Sequence, residues 1–193
     1  MRRPTVGVLA LQGGVAEHAD MLGHLGASVT LVRRPEQLTE VDALVLPGGE
    51  SSTIDRLTRI FGLRDPLIEA IRNGLPTLGT CAGLIMVSTT IDDPAPGQQS
   101  LGVLDVGVSR NAFGSEVESA EVTVKWKGSA ADSVRAAFIR APIVTRVGPG
   151  VETLAEHEGE IVAVRQGKIV GISFHPELTG DTTVHQELID SIG

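Results

Sequence analysis

Aromatic residues are scarce, with one Trp, four Phe and no Tyr in 193 residues, which leaves no evident platform for stacking nucleic-acid bases. Basic residues are in the minority too: 16 Lys and Arg stand against 24 Asp and Glu, for a formal net charge of −8. Without a long basic cluster, no nucleic-acid partner is expected, and the acidity reads as a contribution to solubility. No apolar stretch reaches the roughly 18 residues of a membrane helix, so no membrane partner is expected either. Met1-Arg2-Arg3-Pro4 runs straight into a strand-like segment without a signal-peptide pattern. A single cysteine excludes an internal disulfide, and a cytoplasmic location is the expectation. No internal repeat interrupts the chain, and its length suits one domain over residues 1–193 with a substantial core.

What the chain does contain is an alternation of short apolar runs and helical periodicity. Thr5 to Leu11, Ser28 to Val32, Ala43 to Leu46 and Pro76 to Gly79 read as buried strands. Between them, Val15, Ala19 and Leu22 recur at helical spacing, as do Ile54, Leu57 and Phe61. Asp65-Pro66 is expected to cap and open a further helix that Asn73-Gly74 ends. Such β-α alternation implies a parallel sheet covered on both faces. Later the pattern changes. Glu121 to Trp126 alternates polar and apolar residues, and Val151 to Ala155, Ile161 to Val164 and Ile169 to Phe174 suggest an antiparallel meander. Asp92 to Gly97 reads as an exposed connecting loop, and a final helix from about Thr182 is expected to bury Val184, Leu188 and Ile192. The expected fold is α/β, a mostly parallel central sheet flanked by helices in three flavodoxin-like layers, with an antiparallel extension.

The one cysteine lies in Gly79-Thr80-Cys81-Ala82-Gly83-Leu84, where a strand-like run gives way to a helix-like one. A lone cysteine is more often a small core residue. Glycines on both sides of it at a strand–helix junction favour a nucleophile instead, because such a turn lifts the side chain out of the sheet. The helix start would aim unpaired N–H groups at the sulfur and favour thiolate over a thiol whose free pKa is roughly 8.5.

A nucleophile needs a base and a group to orient it. Ser173-Phe174-His175-Pro176-Glu177 follows the apolar run Ile169 to Ile172. If the strand entering it neighbours the one feeding Cys81, His175 arrives at the same edge of the sheet. Strand alternation would then place His175 and Glu177 on one side, with the carboxylate holding one ring nitrogen. Alone, His-Pro-Glu could be a strand-ending turn with a surface histidine; beside the cysteine motif, catalysis is the better reading.

The second strong motif, Ala43 to Leu46 followed by Pro47-Gly48-Gly49-Glu50-Ser51-Ser52-Thr53, is a buried strand, a flexible turn and polar residues opening a helix. The backbone N–H groups of Gly49 and Ala82 are candidates for an oxyanion hole. A phosphate site is the competing reading, weakened by the missing Gly-Lys-Ser/Thr ending of a P-loop. Gln12-Gly13-Gly14, after the first strand, either borders the same cleft or is a plain turn.

Gly-Val-Leu-Ala-Leu-Gln-Gly, Leu-Pro-Gly-Gly-Glu-Ser-Ser-Thr, Gly-Thr-Cys-Ala-Gly-Leu, Arg110-Asn111-Ala112-Phe113-Gly114, Phe138-Ile139-Arg140-Ala141-Pro142 and Ser-Phe-His-Pro-Glu-Leu together carry a resemblance. From Gly7 to about Asp181 the chain resembles the glutaminase subunits of pyridoxal 5′-phosphate synthase, which are class I glutamine amidotransferases. Gly14 stands where alanine is more usual in that pattern. The resemblance implies Cys81 as nucleophile, His175 as general base and acid, and Glu177 as its orienter. It implies L-glutamine contacts at Gly49, Glu50, Ser51, Arg110, Ile139 and Arg140, which suits a substrate bearing both a carboxylate and an ammonium. It also implies glutamine hydrolysis through a thioester, no cofactor or metal, and a hetero-oligomer in which a synthase subunit receives the ammonia and stimulates the glutaminase. His18, His24, His157 and His185 match no catalytic motif and are expected at the surface or an interface. Two other functions remain open: the glutaminase of a different biosynthetic amidotransferase, and a noncatalytic regulatory subunit.

Overall fold

Short β-branched runs pair into one large sheet because their side chains are apolar on both faces and need cover on each. The computed structural model describes residues 2–112 and 121–193. In chain order these residues form β1 (Thr5–Leu9), α1 (Val15–His24), β2 (Ser28–Val32), a 3-10 turn (Pro35–Glu40), β3 (Ala43–Leu46), α2 (Ser51–Ile60), α3 (Arg64–Arg72), β4 (Thr77–Thr80) and α4 (Ala82–Val87). There follow β5 (Ser88–Ile91), β6 (Leu104–Ser109), β7 (Glu121–Lys125), β8 (Ser133–Ala137), β9 (Ile143–Val147), β10 (Glu152–His157), β11 (Glu160–Gln166), β12 (Ile169–Ile172), α5 (Pro176–Thr179) and α6 (Thr183–Asp190). Of the Arg110 to Gly114 motif, Phe113 and Gly114 lie outside the described residues.

The main sheet runs β2-β1-β3-β4-β12-β11-β9-β6-β5, with β10 paired to β11. From β2 to β12 every pairing is parallel. Beyond β12 the sheet turns antiparallel through β11, β9 and β6, the extension anticipated from the meander. Alternate residues of the same strand serve opposite cores: Ala43 and Val45 pack with Val6, Val8 and Leu22, whereas Leu44 and Leu46 pack with Ile54, Leu67 and Leu84. The layers follow from that parity. One face is covered by α2, α3 and α4, the other by α1, α6 and the separate β7–β8 ribbon.

Two expectations need correcting. Leu63, not Asp65, is the N-cap of α3; fully buried Leu63 anchors that end in the core, leaving Asp65 in the first turn, where the helix dipole favours it. Pro66 still lacks only an N–H that no helical partner would use. Phe61 leaves the apolar stripe because α2 ends at Ile60, and it is 53% exposed. Buried Asp55 joins Ile54 on the inner face instead, paired with Arg59 Nη2 at 2.8 Å and the Gln99 N–H at 3.0 Å. Among the described residues, no helix is long and apolar enough to cross a membrane.

Candidate active site

The site forms where β4 and β12 end side by side. They pair in parallel with Gly79 opposite Gly171 and Thr80 opposite Ile172. Cys81 follows β4 at φ 51°, ψ −104°, a left-handed conformation that a non-glycine residue holds at a cost of about 1–3 kcal/mol. Its N–H donates to the Ile172 carbonyl at 2.8 Å. The flanking glycines are steric requirements. A Cβ on Gly79 would lie 2.5 Å from the Gly83 carbonyl oxygen, and one on Gly83 would lie 2.0 Å from that of Leu46.

His175 closes β12's exit as the N-cap of α5, and its own N–H donates to the Ala137 carbonyl at 3.0 Å. Its Nδ1 and Glu177 Oε1 are 2.7 Å apart. The two residues share a side for a different reason from strand alternation: β12 has already ended, and Glu177 folds back from the first turn of α5. Pro176 opens that turn, its fixed φ preorganised for a helix start. A Cβ added to Gly48 would meet His175 Cε1 at 2.6 Å and Cys81 Cβ at 3.4 Å. Imidazole and cysteine thus pack against one glycine.

Burial is the largest influence on His175 and lowers its pKa, but hydrogen bonds to Cys81 and Glu177, then the charges of both, outweigh it and raise the value to about 10. The two partners thus favour the protonated form of the ring.

A cavity of about 420 Å³ opens over the cysteine, lined by Gln12, Gly49, Glu50, Ser51, Cys81, Ala82, Ile85, Arg110, Asn111, Ile139, Arg140 and His175. Every residue expected at the site lies on it except Glu177, which stands behind His175. Gln12 borders the cleft: its Oε1 accepts the Glu50 N–H at 2.9 Å. The Gly48 carbonyl accepts the Gly14 N–H at 3.0 Å, so the first and third strand ends are tied together. Another cavity, of about 330 Å³, opens beside Gly167 and Lys168 at the opposite ends of the strands, and its described lining includes neither cysteine nor histidine.

Glu50 caps α2, its carboxylate accepting from the Ser52 and Thr53 N–H groups. Burial tends to raise its pKa, but hydrogen bonds from the Ser52 and Thr53 side chains and backbone bring it down to about 2. Gln98 is a site residue that sequence reasoning missed. Its Nε2 donates to Ser51 Oγ at 2.8 Å, and its Oε1 accepts from Arg110 Nη1 at 2.7 Å and from the Ala95 N–H at 3.0 Å. The 92–97 loop, expected to be a mere connector, thereby braces the pocket, with Asp93 Oδ1 accepting the Arg110 N–H at 2.8 Å. Arg140 sits at φ 44°, delivered with Ile139 by the strand β8 that also receives the His175 N–H.

Two of the remaining histidines are not at the surface. His18 and His185 are fully buried, because α1 and α6 share one face of the sheet and turn these rings toward each other with Nδ1 and Nε2 2.8 Å apart. His157 is half-buried and stacks on Phe138 with ring centroids 4.9 Å apart, while His24 is exposed as anticipated. Among the described residues, no three His, Cys, Asp or Glu side chains gather to hold a metal ion.

The sequence profile of the SNO glutamine amidotransferase family matches residues 8–192. The chain belongs to this family. Among its relatives, the amidotransferase is 53% identical to pyridoxal 5′-phosphate synthase subunit PdxT of Streptomyces avermitilis over 192 residues, covering 100% of this chain and 96% of that one. A crystal structure of a glutamine amidotransferase superposes with a TM-score of 0.90 at 45% identity, covering 97% of this chain and 98% of that one. At 16% identity, a putative GMP synthase subunit from Thermoplasma acidophilum shares the fold with a TM-score of 0.70, over 100% of this chain and 95% of that one. The fold is therefore shared at low sequence identity.

Proposed function

We propose that this amidotransferase hydrolyses L-glutamine to L-glutamate and ammonia, and passes the ammonia to a synthase subunit that makes pyridoxal 5′-phosphate. The observation that carries the chemistry is the meeting of Cys81 and His175 at the ends of neighbouring strands, with Glu177 2.7 Å behind the ring. The partner rests on the name and the full-length similarity of the relatives.

His175 holds the proton taken from Cys81, and the sulfur attacks the side-chain carbonyl carbon of glutamine. Negative charge moves to the carbonyl oxygen, which the Gly49 and Ala82 N–H groups receive. Ala82 opens α4, and the first N–H groups of a helix have no partner within it. The intermediate collapses as the C–N bond breaks and His175 protonates the departing nitrogen, giving ammonia and a γ-glutamyl thioester. Water, deprotonated by His175, then attacks the thioester and releases glutamate with the thiolate restored. Glu177 keeps Nδ1 occupied, so that Nε2 faces the sulfur. Arg110 and Arg140 offer positive charge to the α-carboxylate, and Ser51 and backbone carbonyls accept from the α-ammonium.

Copurification from the native cell, followed by glutamate-release assays on the chain alone and in the recovered complex, tests both parts. Release that rises in a complex with a pyridoxal 5′-phosphate synthase subunit supports the proposal. A different synthase would reassign the pathway, and a complex that releases no glutamate would make the chain a regulatory subunit.

A further inference from the structure

Behind the triad lies a buried polar chain, His185, His18 and Thr80, that reaches Glu177 and that the mechanism above does not use. His18 Nε2 is 3.1 Å from Thr80 Oγ1 and 3.6 Å from Glu177 Oε1, while its Nδ1 is 2.8 Å from His185 Nε2. Glu177 is nearly enclosed, with 2% of its side chain accessible. Its Oε1 meets His175, whereas Oε2 has no hydrogen-bond partner among the described residues. The chain links α1, α6, the last residue of β4 and the first turn of α5.

The orphan atom at the far end settles which way the protons point. Two neutral imidazoles at 2.8 Å share one proton between the facing nitrogens. Were it on His18 Nδ1, neutral His185 would carry its own proton on Nδ1, which is buried with no partner among the described residues. A buried N–H without an acceptor is costly. With the proton on His185 Nε2 instead, His185 Nδ1 is a bare lone pair, His18 Nδ1 accepts, and His18 Nε2 bears a hydrogen. That hydrogen faces the Thr80 hydroxyl and the Glu177 carboxylate. Both rings are neutral. Burial is the main cause of depression in each, aided for His18 by His185 and His175; His185 falls to about 4 despite the opposing charge of Asp181.

We propose that His18 is a positioning residue for the triad: held in one tautomer by His185, it directs its Nε2–H toward Thr80 and Glu177 and fixes the carboxylate that orients His175. At 3.6 Å the contact with Glu177 is electrostatic rather than a hydrogen bond, so His18 steers the carboxylate through the same Oε1 while leaving that oxygen's shorter bond to His175 in place. Its neutrality matters as well. A charged ring there would draw the carboxylate's field away from the His175 imidazolium. The inference rests on the triad assigned above.

The test uses the full chain in complex with its synthase subunit and compares His18→Gln, His18→Asn and His18→Phe. The Gln amide reaches the place of Nε2, and the Asn amide only that of Nδ1. Outer-shell partners that orient metal-bound histidines are typically worth about 10–100-fold; by the same orienting logic, His18→Phe and His18→Asn are expected to lower kcat by roughly that factor with KM little changed. His18→Gln is expected to recover most of the loss. The titration of His175, followed by NMR on the free chain, is expected to move to lower pH in the Phe and Asn variants and to stay near the wild-type position in Gln. Thermal melts set an assay temperature at which all variants are folded. Equal kcat values for Gln and Asn at that temperature, or a His175 titration unmoved by His18→Phe, would overturn the positioning role. Cys81→Ala and Glu177→Gln run alongside: their full activity would sink the triad itself, whereas their loss with His18 variants unaffected would sink only this inference.

Discussion

The Cys81 N–H donates to the Ile172 carbonyl at 2.8 Å, a bond just past the end of the parallel pairing that joins two strands encoded far apart in the chain. It makes the elbow after β4 and the His175 turn after β12 leave the sheet at the same level. The geometry of the proposed triad is therefore a property of strand order, and substitutions that disturb the two exits should act on turnover before they act on folding.

Gly48 is the point where such a disturbance can be made small. A methyl there would stand 2.6 Å from His175 Cε1 and 3.2 Å from Nδ1, so the ring must yield. A misplacement of about 1 Å can cost on the order of 100-fold in rate. Gly48→Ala is expected to reduce kcat for glutamate release by that order while circular dichroism and the melting transition stay close to wild type. Wild-type turnover in this variant would mean that the ring has slack the packing does not show.

Cys81 holds strain as well as sulfur. Cys81→Ala removes the nucleophile, and Cys81→Gly also relieves the left-handed backbone at φ 51°. Strain of about 1–3 kcal/mol exceeds the usual penalty of about 0.5–1 kcal/mol for glycine, so the Gly variant is expected to be the more stable by about 1 kcal/mol in urea denaturation. Both should lose glutamine-dependent synthesis by the complex yet leave synthesis from added ammonium intact. Loss of the ammonium route would contradict a role confined to ammonia supply.

Stability should peak near the ordinary histidine pKa of about 6.5, for two opposite reasons. His175 is raised to about 10 in the fold, so its stabilisation is complete below 6.5 and fades as pH climbs through 10. His185 is lowered to about 4 and His18 well below its usual value, so their contribution is complete above 6.5 and fades as pH falls through 4. Denaturation midpoints across pH check this. Cys81→Ala should flatten the alkaline limb and His185→Phe the acid limb; an unaltered profile in both would contradict the assigned groups.

Gln98 ties the Ser51 hydroxyl to the Arg110 guanidinium, each within 2.8 Å. Neither bond touches the reacting atoms. Gln98→Ala is expected to raise KM for glutamine several-fold, on the scale of one or two hydrogen bonds of about 1 kcal/mol each, with kcat within about twofold. A fall in kcat at constant KM would place Gln98 in the chemistry instead.

The parallel half of the fold was legible because buried strands and their connecting helices leave strong local signals. Thr5 to Leu9 and Ala43 to Leu46 are continuous apolar runs, and glycines mark Cys81 where only a tight turn tolerates them. Cys81 and His175 stood out for the same reason, each following a strand in a distinctive local pattern, whereas Arg110, Ile139 and Arg140 were expected only from the family resemblance, because nothing local separates them from surface residues. What escaped depends on tertiary partners. His18 looks polar on an amphipathic helix, and nothing local says that His185, from the last helix, will bury it. Asp55 goes inside because Arg59 and the Gln99 N–H pair it there, and Gln98 acts through a loop whose composition signals only exposure. The distinction between a strand and a helical turn at Glu177 was likewise hidden, since both place it beside His175.

The most direct measurement is mass spectrometry of the assembled complex, acid-quenched within its first turnover of glutamine. One γ-glutamyl adduct on the peptide containing Cys81, absent from Cys81→Ala, is the predicted result. Glutamate release at the wild-type rate by Cys81→Ala, with no adduct at that peptide in the native chain, would contradict nucleophilic catalysis by this cysteine.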